Sequence, residues 1–386
     1  VTPNGSLRIA VIAPLRYPIA EPHAGGLESS IWHQVRLLRD RGHEVVLCAV
    51  AGSDYMDASP AEFTMPPVRW ENPAEANDVD YPAGYAEVAV PALERALDWI
   101  TENADRFDLV DNHCLHAQPL ERVGSLGVPM VTTLHTPTLP QLVDAVDPGR
   151  DGQSAFVSVS RYTADQWQPA GIDSIVIPNG VDTDRWPRGT GGTDLVWFGR
   201  IVPEKGPHLA IEAARRAGRR LVIAGRVGDI DYAERYLWPH LGDDVEYVGA
   251  LEQPDLAALV GRSACALVTP VWQEPFGLVI AEALSTGTPV VSFATGGIPE
   301  VVAGALGTRL VAPGDLDGFA RSIDELIAET DGDPGMRDRI RAGANARFSL
   351  HRRITDLEAL YRELASRPQG ARAQASGVPQ ASGVPA

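Results

Sequence analysis

Residues 264–293 read ACALVTPVWQEPFGLVIAEALSTGTPVVSF. Ala264–Pro270 is a nearly unbroken apolar run of strand length, and a tight Pro275-Phe276-Gly277 turn comes soon after it. A helical pattern then opens at Leu278 and runs to Thr286, and a second apolar run covers Pro289–Phe293. Strands apolar on both faces, joined through a helix, belong to a parallel sheet with helices packed on it. The alternation extends in both directions. Upstream strand candidates are Leu7–Pro14, Glu44–Ala51, Leu109–Cys114, Pro129–Thr136, Ala155–Ser160 and Ser174–Val181. Asp194–Gly199, Arg220–Gly225, Val245–Gly249 and Thr308–Ala312 complete the second half. Helical patterns lie between them at Leu27–Arg41, Pro91–Asn103, His208–Ala217 and Leu316–Glu329, and a last one spans Leu350–Ser366.

The series breaks at Asp182–Thr193, which holds Pro187, Gly189, Gly191 and Gly192 and has no apolar period. It reads as a linker between two doubly wound α/β domains that face each other across a cleft. Beyond the last helix, Gln-Ala-Ser-Gly-Val-Pro occurs twice, at 374–379 and 380–385, so residues 367–386 are expected to be a disordered low-complexity tail.

The 386 residues carry a formal net charge of −18, which argues against nucleic acid or an anionic membrane surface as a partner. Lys and Arg together number 33, yet the only lysine is Lys205. Cys48, Cys114 and Cys265 are odd in number and far apart, as expected of a reduced cytoplasmic protein. No run approaches the roughly 18 apolar residues of a membrane span. The first residues show no signal-peptide pattern.

Ligands of open α/β sheets bind beyond the carboxyl ends of the strands, so the residues there carry the chemistry. The first amides of the helix opening at Leu278 lack intrahelical partners and make an anion site. Glu274 lies before that helix and Glu282 in its second turn, one carboxylate on each side, and carboxylates accept from sugar and ribose hydroxyls. Arg200 follows a strand and Lys205 precedes a helix. A guanidinium fork and an ammonium suit a diphosphate, including charge that develops on it as a leaving group.

With these residues in place the chain resembles the family-4 retaining glycosyltransferases of the GT-B fold. The likeness is carried by Gly199-Arg200 with Pro203-Glu204-Lys205-Gly206, by Glu274-Pro275-Phe276-Gly277 with Glu282, by Thr295-Gly296-Gly297-Ile298-Pro299-Glu300 and by Ile177-Pro178-Asn179-Gly180-Val181-Asp182. It spans roughly residues 7–366, and the amino-terminal end looks most like enzymes of actinobacterial antibiotic pathways. The resemblance implies an acceptor domain over residues 1–183, completed by the helix 350–366 crossing back, and a nucleotide-sugar domain over 184–349. It implies that Arg200 and Lys205 hold the diphosphate, that Glu282 holds the ribose and that Glu274 faces the sugar. Backbone amides of Phe276, Gly277 and Leu278 join them, while Gly25-Gly26 closes over the phosphates. Retention is usually explained there by front-face attack, the leaving phosphate taking the proton, so neither a nucleophilic carboxylate nor a cofactor is expected.

The family's Asp-x-x-His-x-His pattern appears as Asp108-Leu109-Val110-Asp111-Asn112-His113, with Asp111 in place of the first histidine. His113 is expected among the catalytic groups, and His135, Thr136 and Gly297 around the sugar and acceptor. Arg226, Ala250 and Leu251, in loops after strands, are expected to hold the base, uracil in preference to guanine.

Other readings are weaker. His113, Cys114 and His116 do not make zinc ligands, because adjacent strand residues point to opposite faces. The Asp-x-Asp matches at 78–80, 182–184, 229–231 and 315–317 are chance in so acidic a chain. A glycogen-type phosphorylase needs two lysines, and a sugar-binding protein needs none of the charged set. A nucleotide-sugar epimerase of the same fold remains the enzymatic alternative. The acceptor is expected to be small and soluble, and the oligomeric state is not legible.

Overall fold

Val, Ile, Leu and Ala crowd the short apolar runs, and in the computed structural model each run becomes a parallel strand. The structure describes residues 5–72, 75–78, 80–146 and 154–367. The first sheet contains β1 (Arg8–Ile12), β2 (Glu44–Val50), β3 (Thr64–Met65), β4 (Leu109–Asn112), β5 (Met130–Leu134), β6 (Ser154–Ser158) and β7 (Ser174–Val176), in the order β3-β2-β1-β4-β5-β6-β7. The second contains β8 (Leu195–Phe198), β9 (Leu221–Ala224), β10 (Val245–Tyr247), β11 (Cys265–Val268), β12 (Val290–Phe293) and β13 (Thr308–Val311), in the order β10-β9-β8-β11-β12-β13. The strand order reverses between β1 and β4 in one sheet and between β8 and β11 in the other. Crevices open beyond the carboxyl ends at such points.

Three expectations need correction. The two-residue β3 is too short to show a period, and it was missed. The expected strand Ser174–Val181 stops at Val176, because Val181 turns away to bridge Ser349. The helix expected to begin at Pro91 begins at Tyr85 and carries Pro91 inside it. Proline lacks one N–H, and burial of Tyr85 and Ala89 compensates for that lost bond. The Gln-Ala-Ser-Gly-Val-Pro repeats at 374–379 and 380–385 lie outside the described residues.

Each sheet is covered on both faces. Ala10, Ile12, Cys48 and Val50 of the first sheet pack against the helix Tyr85–Glu102 through Ala89, Leu93, Leu97 and Ile100. On the other face Ile9, Val11 and Leu47 meet Ile31, Val35 and Leu38 of the helix Gly26–Asp40. The final helix, Leu350–Ala365, joins that same layer through Leu350, Ile354, Leu357, Tyr361 and Leu364 at helical spacing. Burying each aliphatic side chain is worth about 1.5–3 kcal/mol, enough to fix this returning helix on the first sheet. No described helix is long and apolar enough to cross a membrane.

The segment 182–193 is irregular but tightly seated. Trp186 is 3% exposed within the second core. The Gly189 amide donates to the Thr286 carbonyl at 2.9 Å, and a Cβ at Gly189 would stand 1.9 Å from the Gly261 carbonyl oxygen. Its glycines therefore serve close backbone packing rather than looseness. Gly189→Ala is expected to destabilise the protein by about 1–3 kcal/mol in denaturant titration, the cost of overpacking. Gly124→Ala, where a Cβ meets nothing within 4 Å, is the control and should change little.

Candidate active site

The crevices of the two sheets meet in one cavity of about 620 Å³. Two helix N-termini border it. Gly25 is the N-cap of the helix Gly26–Asp40, and Gly277 is the N-cap of the helix Leu278–Ser285, with no side-chain hydrogen bond at either. Their closeness depends on the absence of side chains. A Cβ on Gly26 would lie 3.3 Å from Leu278 Cδ1, and one on Gly25 3.5 Å from Arg200 Cδ. Gly277 adopts φ +81°, the left-handed conformation that glycine tolerates, and this turn aims the helix start at the cavity.

The strand ends of the second sheet supply the charges. Arg200 follows β8 and Arg226 follows β9, and both donate to one carboxylate oxygen of Asp78, at 2.5 and 2.6 Å. Tyr17 donates to the other oxygen. Asp78 is almost wholly covered, and burial alone would raise its pKa. The donors from Arg226, Tyr17 and Arg200 outweigh that and hold it below the usual carboxylate range. Arg226 also stacks over the Tyr17 ring, 4.4 Å from its centroid, and donates to the Ala24 carbonyl at 2.9 Å. Lys205 pairs with Glu274 at 2.5 Å, and Trp272 Nε1 donates to the same carboxylate oxygen at 2.9 Å. Every basic side chain expected at the cavity thus carries an acidic partner.

Glu282 differs. It lines the cavity and has no hydrogen-bond or ion-pair partner among the described residues, and burial raises its carboxyl pKa to about 7. Glu28, buried in the first turn after Gly25-Gly26, is also pushed up by burial, against the pull of Arg200 and Arg226. An unpartnered carboxylate beside bare helix amides offers an acceptor for hydroxyls next to a site for an anion.

Most residues singled out from the sequence line this cavity: Gly25, Gly26, His135, Thr136, Arg200, Lys205, Arg226, Ala250, Leu251, Glu274, Phe276, Gly277, Leu278 and Glu282. His113 and Gly297 do not. His113 is 1% exposed and bonds to His135 and Asp111 with its two ring nitrogens, so it backs the wall instead of facing a ligand. Gly297 sits behind the turn, its amide donating to the Glu274 carbonyl at 2.7 Å. A Cβ there would meet the Pro275 carbonyl oxygen at 2.3 Å, so this glycine shapes the loop that carries Glu274. Tyr17, Glu28, Asp78 and Trp272 were missed. Only Glu28 left a signal, as an acid in the first turn of a helix opened by two glycines.

The aspartates of the Asp-x-Asp matches have local work. Asp229 and Asp315 cap helices through Tyr232 N and Gly318 N, each at 2.8 Å. Asp182 pairs with Arg36. No group of three or more metal-binding side chains gathers among the described residues.

Two family models match in succession: Glycosyltransferase Family 4 over residues 24–185 and Glycosyl transferases group 1 over residues 182–347. The chain is 30% identical to a D-inositol 3-phosphate glycosyltransferase of Mycolicibacterium paratuberculosis, over 93% of this chain and 91% of that protein. It is 29% identical to a glycogen synthase of Mycobacterium tuberculosis, over 84% of this chain and 87% of that one. Among solved structures, Anabaena Alr3699/HepE in complex with UDP and glucose matches with a TM-score of 0.70 at 18% identity, covering 92% of this chain and all 100% of that one. AviGT4, a glycosyltransferase involved in avilamycin A biosynthesis, matches with a TM-score of 0.61 at 25% identity, over 94% and 99%.

The raised Glu282 pKa has a signed consequence. Its folded value, about 7, lies above the ordinary 4.5, so the folded state takes up the proton first. The folded protein therefore gains stability as pH falls from 8 toward 5. Glu282→Gln is expected to melt higher than the parent at pH 8, with the difference closing toward pH 5. Parallel melting curves across that range would mean that the carboxyl is not desolvated.

Proposed function

The chain belongs to the family-4 glycosyltransferases and has their GT-B fold, and from that footing we propose a retaining, metal-independent transferase. It would move a sugar from a nucleoside-diphosphate sugar to a hydroxyl of a small soluble acceptor. The observation that carries this reading is a single cavity with two bare helix N-termini, Arg200, Arg226 and Lys205 beside Glu274 and Glu282. That set matches, group for group, what a sugar on a diphosphate requires. UDP is preferred to GDP as the carrier, in keeping with the UDP complex of the structural relative. The likeness to the avilamycin glycosyltransferase supports an acceptor from natural-product assembly. Three buried free cysteines suit a cytoplasmic setting.

In this reading the diphosphate lies between the Gly277–Leu278 amides and the cations. Arg226, expected beside the base, shares Asp78 with Arg200 and joins Arg200 and Lys205 in stabilising the charge that grows on the phosphate as the glycosidic bond breaks. Glu282 accepts from the ribose and Glu274 from the sugar. The acceptor hydroxyl approaches from the face the leaving group departs from, and the phosphate takes its proton. The protein supplies position and electrostatics, and no side-chain nucleophile is required. His113, expected among the catalytic groups, acts here only through its neighbours.

Donor binding is an exchange. The phosphates displace Asp78 from Arg200 and Arg226, and Glu274 from Lys205. A thermal-shift panel of UDP, GDP, ADP and their sugars tests the class. UDP-sugars should raise the melting temperature, and Lys205→Ala should abolish nucleotide release while melting as the parent does. A chain that binds no nucleotide, or a Lys205→Ala protein that turns over normally, would refute the assignment. Asp78→Asn removes the competing charge. Its Kd for UDP is expected to fall about three- to tenfold by calorimetry at constant salt, the scale of one partly buried ion pair. A weaker Kd would show that Asp78 assists the donor instead of competing with it.

A further inference from the structure

Behind His135 lies a buried chain of side chains that the transfer reaction leaves unexplained. Asp111, on β4, is fully buried. His113 Nε2 lies 3.1 Å from Asp111 Oδ2, and His113 Nδ1 lies 2.8 Å from His135 Nε2. Gln34 Nε2 donates to the same Asp111 oxygen at 2.6 Å. Arg353, also buried, gives its hydrogen bonds to the Ile177 and Pro178 carbonyls, and its charge offsets that of Asp111. Tyr361 closes the group, its hydroxyl 3.4 Å from Gln34 Nε2.

The direction of these bonds follows from one fact. A carboxylate has no hydrogen to give. The hydrogen between Asp111 and His113 therefore belongs to His113 Nε2, and with a single hydrogen on that ring His113 Nδ1 is the acceptor. His135 Nε2 must then be the donor across the 2.8 Å contact. The remaining ring nitrogen of His135, Nδ1, is left bare. It has no partner among the described residues, and His135 lines the cavity.

We propose that Asp111 is a positioning residue that acts through His113 to hold His135 in the Nε2–H tautomer, so that Nδ1 accepts a hydrogen bond from a hydroxyl of the bound sugar or acceptor. The inference rests on the transferase reading for the identity of that hydroxyl, but not for the tautomer. Burial, then His113 and Arg353, hold the pKa of His135 well below its ordinary value, which keeps the ring neutral and Nδ1 open. Asp111 stands where the family pattern places a histidine. A neutral histidine there would not by itself choose the direction of the chain, whereas a carboxylate does. Asp111→Leu would reverse it. Gln34 Nε2, 3.2 Å from His113 Nε2, becomes the donor to that nitrogen, and both rings shift their hydrogen toward the cavity.

Nitrogen-15 NMR of histidine-labelled protein tests the tautomer directly. In the unmodified enzyme at pH 7, His135 should show hydrogen on Nε2 and none on Nδ1, and hydrogen found on Nδ1 would overturn the proposal without any variant. Asp111→Leu should move that hydrogen to Nδ1, and a folded variant whose tautomer is unchanged would also overturn it. Binding and hydrolysis of UDP-glucose distinguish the two hydroxyls. An about tenfold loss of affinity for UDP-glucose with UDP unaffected assigns Nδ1 to the sugar. Unchanged affinities with about tenfold slower hydrolysis assign it to the attacking hydroxyl. Weakened UDP, or no effect on any of the three, counts against the relay. Failure of the unmodified enzyme to bind UDP would refute the transferase reading and leave the NMR result standing.

Discussion

An arginine cannot shed its proton in a protein, and this constraint organises the cleft. Arg200 and Arg226 are brought together by the ends of β8 and β9, and two guanidinium groups held so close need a shared anion. Asp78 provides it from the other half of the molecule, so the cleft is bridged by charge as well as by packing. The chain as a whole carries a net charge of −18, and in this acidic surround Arg200, Arg226 and Lys205 each sit against a carboxylate. Anion recognition then depends on what the phosphate offers beyond charge. The proposed diphosphate would bring two non-bridging acceptor oxygens on each phosphorus and a fit to the helix amides, which a single aspartate does not.

The same economy governs the backbone. Gly25-Gly26 and Gly277 let two helix starts approach across the cavity, and Gly297 lets a second loop back the turn that holds Glu274. A side chain on Gly25 or Gly26 would press on Arg200 or Leu278 of the other half, and one on Gly297 on the Pro275 carbonyl. The glycines of 182–193 do comparable work away from the site, pressing that connection against Gly261 and Arg262.

Apolar runs of strand length located every strand but β3, because burial on both faces leaves a local trace. Arg200, Lys205, Glu274 and Glu282 were legible because strand ends and helix starts fix them within short segments. Asp78 was not, since it sits in an irregular loop and its partners Tyr17, Arg200 and Arg226 lie 61, 122 and 148 residues away. His113 shows the opposite limit. Its place at the end of β4 is plain from the sequence, but whether a strand-end side chain faces the cavity or backs it depends on neighbours from other elements. Asp111 was visible only as a departure from a pattern. Its meaning needed Gln34, His135 and Tyr361, which the fold gathers from widely separated segments.

The helix Leu350–Ala365 sets an order in time. A chain emerging from the ribosome delivers β1 to β7 first, but the layer that the helix Gly26–Asp40 begins over Ile9, Val11, Leu109 and Val131 is completed only when this helix arrives. The second sheet has its own packing complete by Phe348. The half synthesised first is thus finished last, after the other half has closed. Arg353 and Tyr361 arrive on the same helix, so the buried group beneath His135 assembles only when nearly the whole described chain has been made.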